Sequence, residues 1–310
     1  MLIISSSADK RIDLRRPIVT VGSFDGVHLA HRAILQVLNS RAKEVDGTGL
    51  VITFEPHPQV LLDPQGAPLL LTSKSQKLAI LDDLGLNAVY LLSFTRSLAK
   101  MGAEQFVEKI IHKRLKTREV VIGHDHHFGQ GRQGGLTTLR ELGALWDFQV
   151  TALDPLLHQG EPISGTRIRR SLLDGAVKQA AEMLGYQYRL AGTVVPGDGR
   201  GRSLNYPTAN LEVPARKLIP GNGVYAIISC HDELILHGLL NIGHRPTFGG
   251  RDRLVEIHFF DFNNTLYGKE VEIQIIDKIR DEIKFSDSTK LTGQIRKDEQ
   301  VARRLLASER

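Results

Sequence analysis

The residues best suited to chemistry lie in the run GSFDGVHLAH, residues 22–31. His28 and His31 stand three apart at the predicted start of a helix, where they would meet the positive end of the helix dipole. Imidazoles in that position can donate hydrogen bonds to phosphate oxygens as charge develops on them. The run therefore predicts a triphosphate site, and a turn with incidental histidines is the alternative that the run alone leaves open.

A zinc site is a third interpretation, because the first half of the chain is rich in histidine. Such a site would contain no thiolate, and the spacing of the histidines matches no zinc pattern that we can defend. The candidate ligands are His28, His31, His57, His124, His126 and His127.

Two further segments of the first half have residues that suit an anion. The run GHDHHFG, residues 123–129, follows a predicted strand, and Gln130–Arg132 adds a flexible basic loop. The run ISGTRIR, residues 163–169, opens a predicted helix. Ser164 can cap that helix, and its free N–H groups together with Arg167 would hold an anion. A capped surface helix with solvated arginines is the alternative.

The second half contains a glycine-rich basic loop, GDGRGR, at residues 197–202. Backbone N–H groups of such a loop can surround phosphates, although no Gly-Lys-Ser/Thr follows and the loop is not a P-loop. Tyr206–Asn210 comes next, and Thr208 and Asn210 share one face of a strand. A hydroxyl and an amide oxygen are hard ligands suited to Mg²⁺ with phosphates. A turn followed by a polar edge strand is the alternative.

The elements that position these motifs alternate in the first half. Strands are predicted at 17–22, 50–54, 87–94, 119–123 and 148–153. Helices are predicted at 30–42, 75–84, 103–115, 137–145, 164–174 and 176–184. This order indicates an α/β domain with a parallel sheet covered on both faces, whose ligands lie beyond the carboxyl ends of the strands.

After Gly185 the pattern changes to consecutive short strands. They are predicted at 188–195, 223–229, 234–242, 254–262 and 271–280, and a final helix at 288–306. Such a series indicates an antiparallel barrel or sandwich. The predicted domains are therefore residues 1–185 and residues 186–310.

The bulk composition excludes several classes of protein. The chain has 310 residues, 41% of them apolar, and a formal net charge of +5. The charges form no dense stripe, which argues against a nucleic-acid binder. Cys230 is the single cysteine, so no disulfide can form within the chain, and a reducing compartment is expected. No apolar run has the length of a signal-peptide core or a membrane span, and we expect a cytoplasmic protein.

The ordered motifs GSFDGVHLAH, FEPHP, LTSKSQKLAIL, GHDHHFGQGRQG and ISGTRIR resemble the nucleotidyltransferase half of bacterial bifunctional riboflavin kinase/FAD synthetases. PTAN, NIGHRPTF, VEIH, LYG and IRDEIKF resemble their riboflavin kinase half. The resemblance implies a Rossmann-like nucleotidyltransferase domain, then a mostly β, Greek-key kinase barrel with a C-terminal helix. It implies that ATP, riboflavin, FMN and FAD are substrates or products and that Mg²⁺ accompanies ATP.

The resemblance also implies roles for individual residues. The catalytic residues would be Glu256, as the base of the kinase reaction, with His28, His31 and Arg167. The residues that bind nucleotide or flavin would be Gly22, Phe24, Asp25, Gly26, Asp125, Ser164, Thr166, Gly197, Gly201 and Arg202. The residues that hold the metal would be Thr208 and Asn210.

This chain departs from the family pattern at a few positions. Ala30 and Gly165 replace a usual glycine and a usual serine, and Asn205 replaces a usual glycine. His126 and His127 stand where an aromatic and a basic residue are usual. Two rival functions stay open: a riboflavin kinase whose first half is a scaffold, and a flavin-sensing regulatory protein. The sequence leaves the oligomeric state open.

Overall fold

A computed structural model of the chain describes residues 1–5, 12–196, 206–231, 234–244, 253–262 and 264–307. The chain divides into two compact units, residues 1–164 and 165–310. The predicted boundary at Gly185 follows the change of pattern in the sequence, whereas the contacts group the two preceding helices with the second unit. The extents of the two functional domains stay a prediction.

The first unit is built on one sheet of six parallel strands. The strands are β1 Leu2–Ser5, β2 Ile18–Val21, β3 Gly49–Glu55, β4 Ala88–Ser93, β5 Glu119–Gly123 and β6 Gln149–Leu153. Their spatial order is β1-β4-β3-β2-β5-β6. All four residues of β2 and the first five of β3 are buried, as expected for parallel strands covered on both faces. The predicted parallel sheet is confirmed, although the sequence reasoning missed β1.

Helices connect these strands and cover the sheet. They are α1 Leu29–Glu44, α2 Pro58–Leu62, α3 Lys74–Asp83, α4 Arg96–Ala99, α5 Ala103–Phe106 and α6 Leu136–Trp146. α5 continues into a π-helix over Val107–Arg114. A capping box starts α3, because Ser73 accepts from the Gln76 amide while the Gln76 side chain accepts from the Ser73 amide. A hairpin of β7 Leu157–His158 and β8 Glu161–Pro162 follows the sheet.

The second unit is a closed antiparallel barrel of six strands preceded by two helices. The helices are α7 Gly165–Leu173 and α8 Val177–Leu184. The strands are β9 Tyr188–Val195, β10 Ala209–Glu212, β11 Gly223–His231, β12 Leu234–His244, β13 Arg253–Phe259 and β14 Glu270–Arg280. The spatial order is β10-β13-β12-β11-β14-β9, and β9 pairs with β10 to close the barrel. Of the two folds that the sequence left open, the barrel is the correct one.

Two apolar layers stabilise the barrel. Paired residues such as Leu240 with Ile257, and Leu190 with Ile273, fill its interior. On the outside, α9 Ser288–Ala307 packs against β11, β12 and β14. Arg280 of β14 forms a buried ion pair with Asp298 of this helix, in which Nη2 and Oδ2 are 2.8 Å apart.

Candidate functional site

The strand order of the first unit places one candidate site. From β2 the chain first adds β3 and β4 on one side, and it later adds β5 and β6 on the other. Ligands of open α/β sheets lie at such a switch point, beyond the carboxyl ends of the strands. The loop after β2 contains residues 22–28. β5 ends at Gly123 beside Ile34 of α1, and the next loop follows. The structure thus brings two of the predicted motifs to one edge of the sheet.

His28 begins α1 as its N-cap residue. Its Nδ1 accepts a hydrogen bond from the His31 amide at 3.4 Å, so the ring proton lies on Nε2. The rings of His28 and His31 are stacked, with centroids 3.7 Å apart and planes inclined by 14°. His28 therefore places its Nε2–H beside the N–H groups of the first turn of α1, which is an arrangement suited to a phosphate.

His31 lies between His28 and the ring of Phe24, whose centroid is 4.8 Å away. Burial lowers the pKa of His31 well below its ordinary value, and the charges of His28 and Lys77 lower that pKa further. Its Nδ1 is buried and has no hydrogen-bond partner in the described part of the chain. The neutral imidazole is therefore the form present at neutral pH, and it can approach a phosphate without protonating it.

The loop before the histidines is held in an uncommon backbone conformation. Phe24 has a φ of 49°, Gly26 of 79° and Val27 of 35°. The buried carboxylate of Asp25 accepts hydrogen bonds from the amides of Leu71 and Thr72 at 3.0 Å. These bonds stabilise positive φ values that cost energy in residues other than glycine. Phe24, Asp25 and Gly26 thus shape the loop rather than present reactive groups.

Two contacts complete this loop. Thr72 Oγ1 accepts a hydrogen bond from the Gly26 amide at 3.0 Å. At Gly22, an added Cβ would lie 3.1 Å from the ring of Phe24, so a side chain there would displace that ring. The sequence reasoning quoted the LTSKSQKLAIL motif without assigning a role to Thr72, because the partner of a loop amide depends on tertiary packing.

Lys77 is the main residue of this site that the sequence reasoning missed. It lies in α3 with only 7% of its surface exposed, and its Nζ donates to the Ser23 carbonyl and to Thr53 Oγ1, each at 3.2 Å. Gln76, Ile80 and Leu81 are also buried on this helix. The available signal was a lysine on the buried face of a short helix, since lysine is seldom fully buried unless its charge is paired.

The loop after β5 places Asp125 on the surface. Its backbone carbonyl lies 2.7 Å from Nδ1 of His127, while His126 stacks on Phe128 with ring centroids 5.9 Å apart. Burial lowers the pKa of His126 to about 4, against a smaller raising effect of Asp125. His126 is therefore neutral at physiological pH, and the exposed carboxylate of Asp125 is available to a ligand.

The ISGTRIR motif spans the division between the two units. Ser164 is the last residue of the first unit, while Thr166 and Arg167 lie in the first turn of α7 in the second. Gly165, one of the departures from the family pattern, is the first residue of that helix. The predicted role of these residues in phosphate binding stays a prediction.

The second candidate site lies on the outer face of the barrel. Asn210 of β10 pairs with Glu256 of β13, and Glu256 pairs with Asn241 of β12. Directly paired residues project from the same face with Cβ atoms about 4.5–5.5 Å apart. Asn241 Nδ2 donates to Glu256 Oε2 at 3.3 Å, which orients the carboxylate. Three predicted strands thus bring a carboxylate and two amides together.

Within this group, the side chain of Asn210 indicates a ligand-binding position. Its side chain is 8% exposed, and its Oδ1 is buried without a hydrogen-bond partner among the described residues. A buried polar atom without a partner is costly, so an unmade contact of this kind needs an explanation. An amide oxygen two residues from the Thr208 hydroxyl and opposite a carboxylate is a donor set that fits Mg²⁺.

His258 holds the segment that leads to Asn210. It follows Glu256 by two residues, and its Nδ1 lies 2.9 Å from the Pro207 carbonyl. Its ring also meets Tyr206 edge-on, with centroids 5.3 Å apart. These contacts hold the residues immediately before Thr208. Gly197, Gly201 and Arg202 of the predicted phosphate loop lie outside the described residues, as does Asn205.

The zinc interpretation can be compared with the structure. Within the described ranges, no group of three or more His, Cys, Asp or Glu side chains is arranged to hold a metal ion. The zinc interpretation thus has no ligand cluster in that part of the chain. None of the helices described is both long and apolar enough to cross a membrane.

Comparisons with known proteins match both halves of the chain. The family model for FAD synthetase matches residues 10–167, and the model for riboflavin kinase matches residues 184–306. The chain is also similar, with 31% identity and a TM-score of 0.89, to a crystal structure named macrolide-efflux protein from Streptococcus pneumoniae; the likeness covers 98% of this chain and 99% of that one.

The curated relatives described here share one name, and the match covers nearly the whole length of each. The bifunctional riboflavin kinase/FMN adenylyltransferase of Escherichia coli K12 is 36% identical over 92% of this chain and 91% of its own. The proteins of that name from Buchnera aphidicola of Schizaphis graminum and from Listeria monocytogenes are each 35% identical. They cover 92% and 97% of this chain, and 93% and 96% of their own. The chain therefore belongs to the family of bifunctional riboflavin kinase/FMN adenylyltransferases.

Proposed function

We propose that this chain phosphorylates riboflavin to FMN at the barrel and adenylylates FMN to FAD at the parallel sheet. The pairing of Asn210 with Glu256 supports the first activity most directly, because it joins a partnerless amide oxygen to an oriented carboxylate. The stacked His28 and His31 at the start of α1 support the second. The substrates are riboflavin, FMN and ATP, and the reducing compartment indicated by the single cysteine is the cytoplasm.

In the kinase reaction, the carboxylate of Glu256 accepts the proton of the riboflavin 5′-hydroxyl as that oxygen attacks the γ-phosphate of ATP. The hydrogen bond from Asn241 to Oε2 orients the carboxylate of Glu256 for this proton transfer. Thr208 and Asn210 would hold Mg²⁺, which offsets the charge of the ATP phosphates when it is bound. ADP leaves, and the proton passes from Glu256 to solvent.

In the second reaction, a phosphate oxygen of FMN attacks the α-phosphate of ATP and the bond to pyrophosphate breaks. The FMN phosphate is already a nucleophile, so neither a general base nor a covalent intermediate is needed. Catalysis therefore depends on positioning the two substrates and on stabilising the charge that develops on the phosphates. His28 contributes its Nε2–H, the start of α1 contributes backbone donors, and neutral His31 packs beside them.

Product analysis tests both activities. The chain is incubated with ATP and Mg²⁺, once with riboflavin and once with FMN, and the flavins are separated by chromatography. We expect FMN and FAD in the first reaction and FAD in the second. FMN without FAD would indicate a kinase with a scaffold as its first half. The absence of both products would indicate a flavin-binding protein instead.

A further inference from the structure

Lys77 is a buried, titratable group that neither reaction above uses. Its ammonium lies at the carboxyl ends of β2 and β3, where it contacts Ser23 of the nucleotide loop and Thr53 of β3. Its charge is also one of the causes that lower the pKa of His31, so its field reaches the histidine pair. The ammonium therefore lies at the same end of the sheet as the histidine pair.

The cation has no counterion in the described part of the chain. No carboxylate among the described residues lies within ion-pair distance of Nζ. Burial lowers the pKa of Lys77, and the charges of Glu55 and Asp25 oppose that effect. The carboxylate of Asp25 already accepts from Leu71 and Thr72. An ammonium has three donors, and the described contacts use two of them. A buried charge without a partner is destabilising, and a bound anion would remove that destabilisation.

The contacts of Lys77 are not required to hold the loop. The Ser23 carbonyl also accepts from Thr53 Oγ1 at 3.0 Å, so it keeps a donor if the lysine is replaced. A methionine has nearly the same length and would occupy the same space without a charge. Removing the ammonium thus leaves no buried oxygen without a partner, and it abolishes the cost of burying a charge.

We propose that Lys77 is a positioning residue for adenylyl transfer: a fixed buried cation, bonded to the Ser23 carbonyl, whose counterion is the phosphate chain of the bound nucleotide. This inference rests on the proposed conversion of FMN to FAD in the first unit. It names a group outside the histidine motif that attracts the phosphates through its charge.

The test compares Lys77→Met with Lys74→Met in the full chain. Lys74 is an exposed lysine of the same helix, so its replacement controls for the loss of one positive charge. Lys77→Met should lower kcat/KM for FMN adenylylation at least about tenfold, which corresponds to about 1.4 kcal/mol. It should weaken the binding of inorganic pyrophosphate measured by calorimetry, and riboflavin phosphorylation should be unchanged. Lys74→Met should match the wild type in every assay.

Thermal unfolding separates this role from a structural one. Because the buried charge is removed, Lys77→Met should unfold at the same temperature as the wild type or a higher one. Lys77→Gln keeps donors without the charge, and it should lose as much adenylylation as the methionine variant. Wild-type adenylylation in either variant would overturn the inference, as would a lower unfolding temperature with unchanged pyrophosphate binding. A wild-type chain that makes no FAD from FMN would instead refute the proposed function.

Discussion

At the scale of single residues, the barrel site owes its geometry to strand register. Asn210, Glu256 and Asn241 stand opposite one another on three adjacent strands, and the two outer residues are amides. A carboxylate between amides accepts hydrogen bonds and meets no neighbouring negative charge from these pairs. This environment suits a group that takes a proton for the duration of one reaction.

Replacement of Glu256 by glutamine should abolish riboflavin phosphorylation, because an amide cannot accept the hydroxyl proton. We expect a loss of about 10²-fold or more in kcat, the range typical of general bases. FAD formation from added FMN should continue at the wild-type rate, because that chemistry belongs to the other unit. Chromatography of the flavins measures both.

Glu272→Gln is the matched control for this prediction. Glu272 lies on β14 of the same barrel and forms an ion pair with Arg189, with Nη1 and Oε1 3.3 Å apart. Both activities should survive its replacement. Equal loss of the two activities in folded Glu256→Gln would contradict the assignment of separate sites.

Ala30 occupies the first turn of α1 between the two histidines, where a glycine is usual in the family. If the phosphates pass close to this turn, a Cβ crowds them, and Ala30→Gly should raise FMN adenylylation about tenfold. The variant should be less stable by up to about 1 kcal/mol, since glycine is a poorer helix former than alanine. Riboflavin phosphorylation should not change.

Steady-state rates of the two half-reactions decide this point. An unchanged or slower adenylylation in Ala30→Gly would show that the site accommodates the methyl group. Gly165→Ser, which restores the other family residue, is a useful comparison because it changes a different motif.

At the scale of single elements, the loop after β5 carries a pH-dependent contribution to stability. The folded chain keeps the pKa of His126 at about 4, below the ordinary value of 6.5. Between these two values the unfolded chain binds a proton that the folded chain does not, so stability falls as the pH falls. At pH 5 the loss from this histidine is about 2 kcal/mol.

His126→Gln should therefore lose less stability between pH 7 and pH 5 than the wild type does. Urea unfolding at both pH values, followed by a signal from the first unit, measures the difference. His124→Gln is the control for the removal of one histidine from this loop, because His124 is exposed. The same acid sensitivity in His126→Gln and the wild type would count against this contribution.

Most elements could be predicted because their patterns are local. β5 and β9 begin and end at the residues predicted, and α1, α3 and α6 differ by only one or two residues at their ends. The apolar runs of parallel strands and the caps of helices are properties of neighbouring residues. The start of α1 at Leu29 follows from His28 acting as its cap.

Features that depend on distant residues could not be predicted in this way. The pairing of Asn210 with Glu256 joins strands more than forty residues apart, and no local pattern sets that register. The contact of Lys77 with Ser23 joins a helix to a loop more than fifty residues earlier. β1 is short and mostly exposed, so its sequence has little of the pattern of a buried strand.

At the scale of the whole molecule, α7 and α8 contribute to the unit that contains the barrel. α8 packs against β9 and β14, and the Gly221 amide donates to the Leu172 carbonyl at 2.8 Å. Several side chains of the two helices are fully buried: Ile168, Leu172, Ala180, Met183 and Leu184. A barrel without these helices would expose apolar surface that the intact unit covers.

We therefore expect residues 165–310, expressed alone, to fold and to phosphorylate riboflavin. Residues 186–310 should be less stable by at least about 3 kcal/mol, given the apolar area that the missing helices cover. Urea unfolding and FMN formation of both fragments test this. Equal stability of the two fragments would place α7 and α8 outside the folding unit of the kinase.

Side chains along the barrel strands alternate between the inside and the outside of the barrel. The inward and the outward residues are therefore under different evolutionary constraints. Val255 and Ile257 of β13 point into the barrel, while Glu256 and His258 point outward to the site. In a library of single substitutions, changes at the inward positions should lower protein abundance. Changes at either the inward or the outward positions should abolish FMN formation. Protein abundance along this strand would then vary with a period of two residues. Folding therefore constrains the inward residues, and the reaction constrains the outward ones.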